Sequence, residues 1–251
     1  MGRYGARWEG ILGSFLEAQL VAPPWRARRA FQAVLGEVAR LEGIFSRHRE
    51  SELTRLIRQG GGRPSPEMRE VLAWALRLQE ATGGAFHPSP RQGGEALRFL
   101  EEEVEVLAPL DLDGLAKGYI ADRAAEAALK AGARAALVNL GGDLARRGPG
   151  RAEVGVEPPL GPDNAPPALT FPLEEGGVAT SGVRHKGPHL LDPRTGRPAQ
   201  GLQATVVAPS ALLADGLAKA LFVLQEAAWP VLKAHGALGI LFTAQGPVSG
   251  P

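Results

Sequence analysis

Four segments bring together residue types that can do chemistry. In Leu110-Asp111-Leu112-Asp113-Gly114-Leu115-Ala116-Lys117-Gly118-Tyr119, a carboxylate pair, a glycine and a lysine stand at the entrance of a helical stretch. Free backbone N–H groups and the helix dipole favour an anion there, and a lysine adds a point charge suited to a phosphate. The same spacing also fits a plainer arrangement, with Asp113 as an N-cap and Lys117 on a solvated helix face. It is not a P-loop, because the GxxxxGK[ST] spacing is missing. Val138-Asn139-Leu140-Gly141-Gly142-Asp143 empties a strand into a glycine pair, which either admits a ligand close to the backbone or simply turns the chain.

The third segment, Thr180 to Gly196, crowds Ser, Thr, two His, Arg and Lys around the turn sequence Asp192-Pro193-Arg194-Thr195-Gly196. His189 is the candidate general base, since histidine titrates near neutrality. Two histidines and an aspartate also suggest a metal site, but Lys186 between them opposes a cation. The fourth segment places Asp215 and Lys219 four residues apart, hence on one helix face. A surface ion pair there contributes only about 0.3–0.5 kcal/mol. The flanking residues are almost all apolar, however, so the helix reads as buried and its aspartate needs a partner.

The elements that must position these segments follow from periodicity. Ile11 to Val21 reads as a strand, and from Pro24 apolar residues at three- and four-residue steps (Ala27, Ala30, Phe31, Val34, Leu35, Val38, Leu41) read as a long helix. Ser51 caps a short helix that Gly60-Gly61-Gly62 ends in a turn, and Ser65-Pro66-Glu67 opens a helix to about Ala81. Leu97 to Leu107 reads as a hairpin, and Asp111 to Ala131 as a loop entering an Ala-rich helix. Strands are expected at 135–140, 152–157, 169–173, 177–180 and 203–208, then a helix from Ala211 to about Gln225, with a last strand at 238–243. Strands and helices alternate without a regular βαβ rhythm, so the expected class is α+β, mixed or antiparallel sheets with packed helices, in a single domain over 1–251.

Composition removes several function classes. The 33 Gly and 21 Pro among 251 residues stay below the roughly 25–30% that marks disorder. With 44% hydrophobic residues and a net charge of +1, the chain can bury a core. Only five of its 28 basic residues are lysine and the arginines are scattered among acids, so nucleic acid is not an expected partner. The absence of cysteine excludes disulfides, thiolate metal sites, cysteine nucleophiles and a lipid-modified N-terminal Cys. No run approaches the roughly 20 apolar residues of a membrane span, and the first residues lack the uninterrupted apolar core of a signal peptide. The expected location is the cytoplasm.

Taken in order, these segments resemble the ApbE family of flavin transferases, FAD:protein FMN transferases. The family's DLGGIAKGY-like loop, VNLGGD-like strand end, TSG segment leading to HIIDPRTG, and ADAxATALFVLG-like helix read here as DLDGLAKGY, VNLGGD, TSGVRHKGPHLLDPRTG and ADGLAKALFVLQ. Weaker echoes are Leu12-Gly13-Ser14, Phe45-Ser46 through Ser51-Glu52-Leu53, and Gly84-Ala85-Phe86-His87-Pro88-Ser89. The similarity covers about 11–243.

This resemblance implies an enzyme that binds FAD, sets Mg²⁺ on its diphosphate, and transfers FMN to a threonine or serine hydroxyl of an acceptor protein, releasing AMP. It implies Asp111 and Lys117 as FAD contacts, Ala85, Phe86 and His87 lining the flavin or adenine site, and Leu12, His48 and Ser181 as further contacts. His189 would take the acceptor's proton and also touch FAD. The Gly114 carbonyl and Asp215 would hold the metal. Several positions depart from the family pattern: Lys219 for a threonine ligand, Leu12 for Met, His48 for Tyr, His87 for Asp, Asp113 for Gly, and Val183 for Asp. A protonated lysine has no acceptor to offer Mg²⁺. The competing expectation is therefore an FAD-binding protein without transferase activity, with Lys219 standing in for the metal.

Overall fold

The computed structural model describes residues 1–162, 165–184, 187 and 190–251. The expected base, His189, lies outside the described residues, as do His185 and Lys186 of the same segment.

Local signals fix most helix boundaries. Helix α1 (Pro24–Phe45) begins with proline at its first positions and buries Ala27, Ala30, Val34, Val38, Leu41 and Phe45. Before it lie strands β1 (Gly2–Ile11) and β2 (Ser14–Ala22). In α2 (Glu52–Gln59), the Ser51 hydroxyl accepts the Thr54 N–H and Thr54 returns a bond to the Ser51 N–H; the helix ends at left-handed Gly60. Helix α3 (Pro66–Ala81) is capped by Ser65, which accepts the Met68 N–H. Between them β3 (Gly61–Gly62) continues from the expected turn and pairs with β5 (Glu103–Val106), the partner of β4 (Leu97–Leu100) in the expected hairpin.

The second half of the chain alternates between sheet and helix. It runs α4 (Ala116–Lys130), β6 (Ala135–Leu140), β7 (Asp143–Arg147), β8 (Ala152–Val156), β9 (Leu169–Leu173), β10 (Gly176–Gly182), β11 (Leu191–Asp192), β12 (Arg197–Pro198), β13 (Gln203–Ala208), α5 (Ala211–Leu224), α6 (Trp229–Ala234), β14 (Leu238–Thr243) and β15 (Gly246–Gly250). Among the described residues the main sheet has eight strands in the order β1-β2-β6-β7-β10-β13-β14-β15, every neighbouring pair antiparallel. The class is α+β. Several elements go beyond expectation. Gly2–Ile11 forms β1, β7 follows the glycine pair directly, β11 and β12 flank the turn at 193–196, α6 comes after α5, and β15 comes after 238–243, the segment expected to be last.

Helices α4 and α5 lie on one face of this sheet, α4 against β6 and β7 and α5 against β10 and β13, with α1 packed on α4. Ala145 and Ala179 join Leu16, Leu20, Leu140 and the helices' apolar residues in the main core. Their neighbours Leu144 and Val178 face the other way, because strand side chains alternate, and meet Val154 and Leu173 of the β8–β9 ribbon. Each fully buried leucine contributes about 1.5–3 kcal/mol, so the α4–α5 layer is held rigidly to the sheet. Among the described residues no helix is long and apolar enough to cross a membrane.

Candidate active site

The position of α5 is set by two glycines and an aspartate. A Cβ on Gly118 of α4 would lie 2.2 Å from the Ala211 carbonyl oxygen, and one on Gly177 of β10 would lie 2.2 Å from the Ala211 Cα. Only glycine at both places lets the first turn of α5 settle between helix and strand. Asp122 then accepts the N–H groups of Ala211 and Leu212, each at 3.0 Å, satisfying donors that a helix start leaves open. Burial pushes the Asp122 carboxyl up from the ordinary aspartate value, opposed by Arg147 and by these two amides. Ser210 adds a bond to the Leu213 N–H.

One and two turns further on, α5 presents Asp215 and Lys219. Asp215 is 2% exposed. Its Oδ1 accepts a hydrogen bond from the Lys219 ammonium, and its Oδ2 is buried with no protein hydrogen-bond partner among the described residues. The Lys219 stem lies over Gly114, whose added Cβ would meet the lysine Cδ at 2.7 Å and Cε at 2.9 Å, and Phe86 at 3.1 Å. Burial works against the ammonium, but the carboxylates of Asp215, Asp143 and Asp113 outweigh it and hold Lys219 above the ordinary lysine value. The expected i,i+4 pair is thus a partly buried one at a junction of segments, not a surface ornament.

Lys117 joins two more segments. A Cβ on Gly141 would lie 3.6 Å from the Lys117 ammonium and 2.7 Å from the Ser14 hydroxyl, so the turn after β6 comes close to the start of α4 and to the β1–β2 turn. Gly141 and Gly142 have φ of 65° and 101°, and the Gly142 N–H bonds the Asn139 side chain at 2.9 Å. This is the glycine pair's turn function, with a lysine beside it. Asp113 does not cap α4; the cap position is Leu115. Asp113 instead shares Arg47 with Asp111, at 2.9 Å and 2.5 Å.

The loop after α3 closes the other side. Thr82 accepts the Phe86 N–H at 2.9 Å, and the Pro88 carbonyl accepts the Asp111 N–H at 2.7 Å, tying the Ala85-Phe86-His87 stretch to the Asp111 loop. Ala85 and Phe86 are buried. His87 Nδ1 accepts the Ser89 N–H, so Nε2 carries the proton given to the Gly94 carbonyl, both at 2.9 Å. Both its ring nitrogens are therefore engaged within its own loop. The β11–β12 turn approaches this loop, with Arg194 Cγ 3.6 Å from a Cβ on Gly84. Asp192 accepts the Arg194 guanidinium at 2.8 Å, which holds that turn.

The remaining expected positions are scattered around this junction. Leu12, half-buried in the β1–β2 turn, has a φ of 49°, a left-handed conformation unusual for leucine. His48 is exposed next to Arg47, and Ser181 is buried on β10 opposite Ala204. Sequence reasoning missed Arg47, Asp122 and Arg147. Nothing in their spacing separates them from the many other Arg and Asp of a solvated surface.

The donor set does not suit a divalent metal at Asp215. The Lys219 ammonium is already paired with the Asp215 carboxylate, and two unit charges of like sign 4 Å apart repel by about 4 kcal/mol at an effective dielectric of 20, more for a divalent ion. Among the described residues no group of three or more His, Asp or Glu is placed to hold a metal.

A model of the ApbE family matches residues 12–109 and 105–242 of this chain. The FAD:protein FMN transferase of Salmonella typhimurium is 30% identical over 164 residues, 59% of this chain and 46% of that protein. That of Escherichia coli is 32% identical over 200 residues, 73% of this chain and 54% of that protein. The chain spans about half the length of these relatives. The crystal structure of the ApbE protein from Thermotoga maritima superimposes with a TM-score of 0.88 at 25% identity, covering 99% of this chain and 97% of that one.

Proposed function

Because this chain belongs to the ApbE family, we propose that it transfers the FMN half of FAD to a serine or threonine hydroxyl of an acceptor protein. The observation that carries this reading is the placement of Lys219 against Gly114 at the entrance of α4, with Lys117 of the same entrance beside the Gly141 backbone. Cations beside glycine backbone at a helix entrance favour a diphosphate.

In the proposed reaction the acceptor oxygen attacks the phosphorus of the FMN half, a new P–O bond forms, and the bond to the AMP oxygen breaks. AMP leaves with that electron pair. The hydroxyl proton passes to His189. Such transfers depend on positioning and on charge at the phosphates more than on covalent help from the protein. Lys117 and Lys219 supply that charge. Ala85 and Phe86 offer an apolar wall to a flavin or adenine ring, and Leu12, His48, His87, Asp111 and Ser181 complete the proposed contacts. The family's metal, held there by the Gly114 carbonyl and Asp215, has no step in this scheme because the Lys219 ammonium opposes it.

The matched relatives named for FMN transfer favour this reading over flavin binding alone. Cytoplasmic residence belongs to the same proposal and is checked by cell fractionation. The activity test is incubation of the protein with FAD, Mg²⁺ and candidate acceptor domains, followed by denaturing electrophoresis. A fluorescent acceptor band is expected. No band with any acceptor that an active family member labels in parallel overturns the proposal.

A further inference from the structure

We infer that the Lys219 ammonium is a resident cation for the FAD diphosphate, so that this chain binds FAD without a divalent metal. The inference rests on the flavin reading above and concerns the same junction. Four observations point to it. The ammonium is anchored on Asp215 Oδ1, inside the first two turns of a helix whose start is fixed by Asp122, Gly118 and Gly177. Its stem runs where a side chain at position 114 would be, so Gly114 leaves it a path toward the α4 entrance. The carboxylates of Asp215, Asp143 and Asp113, drawn from three segments, keep it charged against burial. Its side chain keeps 27% exposure. With three N–H donors and one engaged by Asp215, it has donors left for phosphate oxygens.

A fixed ammonium does part of a metal's work. It neutralises diphosphate charge at a set place and needs no hydrated ion to be recruited. It also opposes a divalent ion at the same carboxylate, so the two solutions exclude each other.

The experiment is flavin fluorescence titration of the whole chain with FAD, in EDTA and in millimolar Mg²⁺. Wild-type Kd is expected to differ less than threefold between the two conditions; a larger tightening by Mg²⁺ overturns the inference. Lys219→Thr is expected to bind FAD about tenfold more weakly in EDTA, the loss of one charge-assisted contact, and to recover affinity in Mg²⁺. Lys219→Arg keeps metal-independent binding. Unchanged affinity of Lys219→Thr in EDTA also overturns it. Should Lys219→Thr not fold, Lys219→Met replaces it with a stem of similar length, and the same loss in EDTA is the supporting result. A wild-type chain that binds no FAD in either buffer refutes the flavin reading itself, an outcome distinct from binding that proves metal-dependent.

Discussion

Asp122 and Arg147 form a 2.7 Å ion pair at the start of α5, with the same aspartate oxygen that pairs Arg147 also accepting the Ala211 N–H. Both side chains are largely buried, at 8% and 13% exposure. Asp122→Ala strands the arginine and leaves two amides open. The expected loss is about 3–5 kcal/mol, the range for breaking a buried pair, read from urea denaturation midpoints. A loss under about 1 kcal/mol would show that the pair does not fix α5.

Glycine substitutions separate close packing from open helix surface. Gly118→Ala puts a methyl 2.2 Å from the Ala211 backbone oxygen and is expected to destabilise by about 1–3 kcal/mol. Gly36→Ala, on α1, meets nothing within 4 Å and is expected to stabilise by about 0.5–1 kcal/mol through helix propensity. Thermal melting of the two variants should move in opposite directions.

Lys117→Ala is expected to weaken FAD binding roughly ten- to a hundredfold, the range for a hydrogen bond to a charged group, with little change in melting temperature. The side chain is only half-buried, so its removal leaves no core cavity. A binding constant unchanged by the substitution would remove Lys117 from the diphosphate site.

Tyr119 gives a pH signature. Burial, helped by a hydrogen bond to Glu70 and opposed by Arg123, pushes its phenol up to about 12. The folded chain keeps a proton that the unfolded chain releases near pH 10, so this contribution is complete below that pH and is lost as pH rises toward 12. Denaturation at increasing pH should show a fall of about 1 kcal/mol by pH 11 that Tyr119→Phe removes. An identical slope in the variant would rule this source out.

What could be read from the chain depended on whether a residue acts locally or at a distance. Ser51, Ser65 and Ser210 each announce a helix through bonds three residues away, and Ser51 and Ser65 cap as expected. Strand β1 was hidden because it is an edge strand with none of its residues fully buried; charged and glycine residues suit it as well as apolar ones. Arg146 is 4% exposed yet gives no apolar signal, since its guanidinium binds the Gly148 and Pro149 carbonyls. The Asp215–Lys219 pair was legible from its four-residue step. The resemblance joins Gly114 to Asp215, but the packing of the Lys219 stem on Gly114 was not legible, because that contact joins the turn before α4 to a helix distant in the chain. Asp122 looked like one acid in an alanine-rich helix, and only the fold reveals the helix end it serves.

The seating of Ala211 between Gly118 and Gly177 makes the site a property of the entire chain. Contacts across roughly a hundred residues cannot form until the intervening strands are paired, because distant segments must first be brought together against chain entropy. A fragment that ends before α5 keeps Lys117 and Gly114 but lacks Asp215, Lys219 and the helix that seats them, so recovery of the proposed flavin binding during refolding becomes a clock for completion of the last long-range docking step.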